Sequence, residues 1–67
     1  MTVARITELT SSSTKSFEDA LNQGIARATK TLRNVTGAWI MDQQVVVEGD
    51  RISEYRLRLK VTFVLND

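Results

Sequence analysis

Between Tyr55 and Leu65 the chain alternates strictly with period two. Tyr55, Leu57, Leu59, Val61, Phe63 and Leu65 fall on one side; Arg56, Arg58, Lys60, Thr62 and Val64 fall on the other. This is the signature of a long antiparallel strand with one buried and one open face. Such a strand dictates what the rest of the chain must supply. Its apolar side needs a cover and its two edges need partner strands.

The preceding residues supply the first partner. Trp39 to Val47 is rich in β-branched and apolar side chains, and Glu48-Gly49-Asp50 provides turn chemistry, so the two segments predict a hairpin. The cover is a helix. Phe17, Leu21, Ile25, Ala28 and Leu32 recur at helical spacing from Phe17 to about Arg33. Ser13 and Ser16 are both candidate N-caps, and Ser16-Phe17-Glu18-Asp19 reads as a capping box with Asp in the usual Glu position. Acids at the start (Glu18, Asp19) and bases toward the end (Arg27, Lys30, Arg33) suit the helix dipole, and Asn34 is the expected stop. Gly24 costs such a helix about 1 kcal/mol relative to Ala, which points to a close approach there. Before the helix, Thr2 to Thr10 carries Val3, Ile6 and Leu9 among polar residues and predicts a short strand, ended by Ser11-Ser12-Ser13-Thr14. The order is β-α-β-β, an α+β fold in one domain spanning residues 1–67.

Composition now decides how such a unit is stabilised. A 67-residue chain buries little surface, and this one has no cysteine for a disulfide and no histidine or cysteine for a zinc site. One helix covers only part of a three-stranded sheet, and the long strands run past it with their edges open. A homo-oligomer is the expectation. No apolar run is long enough to span a membrane, and Met1 to Ser13 lacks a signal-peptide pattern, so a cytoplasmic protein is expected. A net charge of +1 argues against nucleic acid as a partner.

Catalysis is not expected. Triads needing His or Cys are excluded, and three glycines form no phosphate loop. Of Glu8, Glu18, Asp19, Asp42, Glu48, Asp50, Glu54 and Asp67, only Asp42 lies in mid-strand, where aspartate is disfavoured. It reads as a solvated strand residue or as a polar anchor for a ligand or a neighbouring subunit. No second carboxylate is placed to make it half of an acid–base pair. Trp39, the single tryptophan, follows the small residues Gly37 and Ala38. It reads either as packing or as an indole left free to stack on a small planar ligand. Arg56, Arg58 and Lys60 form a solvated or salt-bridged strand face, or an anion clamp.

Taken together, the chain resembles the dodecins. The residues that carry the resemblance are Thr10 to Ser13, Ser16-Phe17, Ile25, Arg27-Ala28, Thr31, Asn34-Val35, Ala38, Asp42-Gln43, Tyr55 and Val61-Thr62-Phe63-Val64-Leu65. The resemblance implies a hollow dodecamer whose sheet partly wraps around the helix. It implies flavin (riboflavin or FMN) bound in pairs at subunit boundaries, stacked between tryptophans and held at the ring edge by a glutamine. The implied role is storage, buffering and quenching of flavin. Two positions depart from that pattern. The stacking tryptophan would fall at Gly37, whereas the indole here comes at Trp39, about 6–7 Å further along the strand. The edge-binding glutamine would fall at Arg56, and arginine donates hydrogen bonds without accepting them. Gly37, Trp39, Asp42 and Arg56 are therefore the expected flavin-site residues. The alternative is a flavin-free shell of the same kind that binds another small ligand or calcium, which is associated with dodecin-like proteins of altered site, with Asp42, Glu48, Asp50 and backbone carbonyls as its oxygen ligands at a subunit boundary.

Overall fold

The computed structural model describes residues 2–65; Asp67, one of the candidate acids, and Met1 lie outside them. Four elements follow in order: β1 (Ala4–Ser13), α1 (Phe17–Thr31), β2 (Val35–Glu48) and β3 (Arg51–Val64). They form one antiparallel sheet of order β1-β3-β2, with the alternating strand in the centre and the helix across one face. The β-α-β-β expectation holds.

The boundaries differ in instructive ways. The serine run does not end β1: Ser11, Ser12 and Ser13 pair with Leu57, Arg56 and Tyr55. Two of its hydroxyls tie the strand to the helix instead. The Ser11 hydroxyl donates to the Ala20 carbonyl at 2.7 Å, and that of Ser13 donates to the Asp19 carboxylate at 2.6 Å. Tertiary bonds thus override the local tendency of serine to break a strand. Ser16 is the N-cap, with the Asp19 N–H donating to its hydroxyl at 2.9 Å. The helix closes earlier than Arg33, at Thr31, where the extended Leu32 returns its N–H to the Ala28 carbonyl. Asn34 acts one step later, as the left-handed residue (φ +62°) that turns the chain into β2. Its carbonyl accepts the Val64 N–H at 3.0 Å. β2 and β3 both extend beyond their predicted starts. The hairpin closes on Gly49-Asp50, with Gly49 at φ +65° in the first central position, where a type II′ turn places glycine.

The buried centre consists of Leu57, Leu59 and Val61 from β3 against Ala20 and Ala28 from α1. Phe17, Leu21, Ile25 and Leu32, expected as the core stripe, flank this centre and are only partly buried. The face nearest the sheet is the small one, Ala20-Gly24-Ala28. A Cβ on Gly24 would stand 3.1 Å from both Leu59 Cδ1 and Ser11 Cβ. The close approach inferred from Gly24 is therefore real. Of the β1 apolar residues, Leu9 packs on the core, while Val3 and Ile6 are exposed.

The unit is elongated, 51 × 19 × 13 Å, with a radius of gyration of 13.8 Å. A compact chain of this length would have about 11 Å. Its accessible surface of 5168 Å² likewise exceeds the about 4,200 Å² ordinary for its mass. The hairpin contributes to this excess: it continues past the last β1 pair, Ser13–Tyr55, and leaves Val47 and Ile52, with Val45 on the Tyr55 row, in water.

Candidate functional site

Directly opposed residues on antiparallel strands share a face, so the register fixes what lies on the side of the sheet away from α1. Four rows cross all three strands there. They are Ile6–Thr62–Gly37, Glu8–Lys60–Trp39, Thr10–Arg58–Asp42 and Ser12–Arg56–Gln44. Successive rows are about 7 Å apart along β3. All four expected site residues, Gly37, Trp39, Asp42 and Arg56, therefore occupy one helix-free face.

For Asp42 this depends on an irregularity. It lies three residues after Trp39, and in a regular strand the two would point to opposite faces. A bulge between Ile40 and Asp42 takes up the extra residue, Met41, and returns Asp42 to the Trp39 side. A second bulge at Thr36 does the same between Val35 and Gly37.

Two adjoining clefts open on this face. The first, about 640 Å³, is lined by Trp39 with Ile6, Glu8, Met41 and Lys60. Trp39 is 56% exposed, so its indole is a surface against which something flat can lie. The second, about 570 Å³, is polar and lined by Thr10, Ser12, Asp42, Gln44, Arg56 and Arg58. Gly37 borders neither: its register belongs to this face, but with no side chain its backbone instead lines a groove on the helix side, between α1 and β2, with Leu21, Ile25 and Ala38. Nothing stands within 4 Å of a Cβ placed there, so the space beside it is open.

The charges are partly engaged. Arg58 Nη2 donates to Asp42 Oδ2 at 2.8 Å across the bulge, and Arg56 Nε faces Glu54 Oε1 at 3.6 Å. Asp42 thus anchors an arginine of its own chain. Within one chain, Asp42 is separated from Glu48 and Asp50 by about 20 Å of strand, and among the described residues no three acidic side chains gather around a single point. Any calcium site built on these residues would need carboxylates from more than one subunit. The carboxyl whose acidity does change lies elsewhere, at the β1–α1 joint. The Ser13 hydroxyl, helped by the Gln23 amide and Lys15, holds Asp19 below the ordinary aspartate range, against an opposing effect of burial.

One residue of this face was not singled out from sequence alone. Gln44 sits directly opposite Arg56, and its amide can both donate and accept. Arg58 was visible as one of three alternating bases, but its link to Asp42 depends on the Met41 bulge. The residues fit a planar heteroaromatic ligand. Trp39 offers a stacking face, and Arg56 with Gln44 offers the donors and an acceptor that arginine alone lacks. One chain covers only one side of such a ring.

Fold and face together define a small α+β module with a helix across one side of its sheet, a small core and an open second sheet face. Comparison with known proteins specifies the class. The family model for dodecin matches residues 3–66, and the chain belongs to the dodecin family. Among solved structures, an arginine-to-alanine variant of the T. thermophilus dodecin is 28% identical, covers 100% of both chains and superposes with a TM-score of 0.93. A tryptophan-to-phenylalanine variant of the same dodecin gives the same values. The dodecin from Streptomyces davaonensis is 24% identical, with 98% of this chain and 97% of that one covered and a TM-score of 0.92, a likeness of fold. No curated protein sequence matches the chain.

Proposed function

We propose that this protein is a non-enzymatic flavin-binding dodecamer that sequesters riboflavin or FMN at subunit boundaries. The observation that carries the reading is the exposed indole of Trp39 on the helix-free face, beside a cleft of hydrogen-bonding side chains. Trp39 provides the stacking surface, and Arg56 and Gln44 address the polar edge of the ring. Asp42 holds Arg58 in place. A bound flavin would bring a photoexcitable ring, and an indole lying on that ring deactivates it before it reacts. Storage and buffering follow from this: the site has a stacking surface and hydrogen-bonding groups but no nucleophile–base pair to turn a ligand over.

Support for assembly comes from the elongated shape and from the exposed Val45, Val47 and Ile52 of the projecting hairpin. Titration of flavin with the purified protein tests the proposal. Quenching of flavin fluorescence at micromolar concentration is expected, and unchanged fluorescence defeats the flavin reading.

A further inference from the structure

Sulfur is scarce in this chain. It has no cysteine and two methionines, and among the described residues Met41 carries the only sulfur. That sulfur belongs to an open position. Met41 is the extra residue of the bulge in β2, an edge strand of the sheet, and is 42% exposed. It takes no part in the buried centre that β3 and α1 build. It lines the first cleft instead, where Ile6 and the indole of Trp39 are its apolar neighbours. A thioether is soft, flexible and apolar, which suits the wall of a cleft for flat rings. It is also the group that two-electron oxidants attack where no thiol competes.

We propose that Met41 is a sulfoxidation site, and that a peroxide-class oxidant acting there turns the Trp39 cleft polar and weakens the stacking of a planar ligand. The thioether sulfur attacks one peroxide oxygen, so that an S–O bond forms as the O–O bond breaks. The sulfur gives up two electrons and the peroxide takes them. The departing hydroxide collects the proton left on the transferred oxygen and leaves as water. The product is a polar, chiral sulfoxide. A ring settling on Trp39 must then displace water from the sulfoxide oxygen, a cost that the thioether does not carry. Because Met41 stands outside the buried centre, the change falls on the cleft and not on the fold. The identity of the ligand rests on the flavin reading above; the modification itself does not.

Treatment of the assembled protein with dilute hydrogen peroxide, followed by peptide mass mapping, tests the site. Sulfoxide at Met41 is expected, with circular dichroism and assembly size unchanged. FMN quenching should then need about tenfold more protein. It should recover after incubation with methionine sulfoxide reductases, which reverse this oxidation and not that of tryptophan. Met41→Leu, judged against its own untreated sample, should keep its affinity through the same treatment. Should that variant fail to assemble, reversal by the reductases on the unaltered protein decides. Met41 left unoxidised, or Met41 sulfoxide with unchanged quenching, overturns the proposal. If the untreated protein does not quench flavin at all, the flavin reading fails alone, and the emission of Trp39 becomes the readout. A shift of that emission on oxidation, undone by the reductases, supports the site, and an unchanged emission overturns it.

Discussion

At the scale of single residues, space and exposure decide more than charge does. Gly24 lies where helix and sheet meet, and a Cβ there would stand 3.1 Å from both Leu59 and Ser11. Replacing it with valine forces extra volume into that contact, and a loss of about 1–3 kcal/mol is expected from denaturant unfolding. Trp39 is the opposite case. Its side chain is largely in water, so Trp39→Ala should leave the melting temperature within about 2 °C while abolishing flavin quenching. A large loss of stability would mean that the indole is a packing residue. Asp19 bears on pH. Its folded pKa is lowered by the Ser13 hydroxyl, so its contribution to stability is present above the unfolded value of about 3.9 and is lost as pH falls through the lower folded value. Acid unfolding curves of Asp19→Asn should be less steep below about pH 4 than those of the parent chain.

At the scale of elements, the period-two strand was legible because one residue type at each second position is enough to specify it. Its three middle apolar residues, Leu57, Leu59 and Val61, are the buried ones. The helix start at Ser16 was equally plain, since its cap is a local bond. The end of β1 was not legible. Ser11 and Ser13 look like a break until their partners on a helix nine and six residues away are known. The site divides the same way. Gly37 and Trp39 share a face by simple alternation, but Asp42 joins them only through the Met41 bulge, which leaves no mark in composition. This gives a test of its own. Deleting Met41 removes the extra residue, and Asp42 then follows Trp39 by two positions, on the same face of a regular strand. The variant should keep flavin quenching where circular dichroism still shows the sheet. Lost quenching would show that the bulge itself, and not the shared face alone, sets the site.

At the scale of the whole molecule, the shape is that of a part. A radius of gyration of 13.8 Å for 67 residues describes a long hairpin with a helix on one end of it, and little of its apolar surface is enclosed. Neighbouring copies are the proposed cover for the exposed Val45, Val47 and Ile52, and for the second side of any ring lying on Trp39. Stability should then rise with protein concentration, which thermal melts over a hundredfold dilution would read. Both halves of this account meet in native mass spectrometry of the protein with and without FMN. The account predicts an assembly of twelve chains that gains flavin mass, with Trp39→Ala keeping the twelve chains and losing the gain. A single 7.5 kDa chain, or a twelve-chain assembly whose mass flavin leaves unchanged, would contradict it.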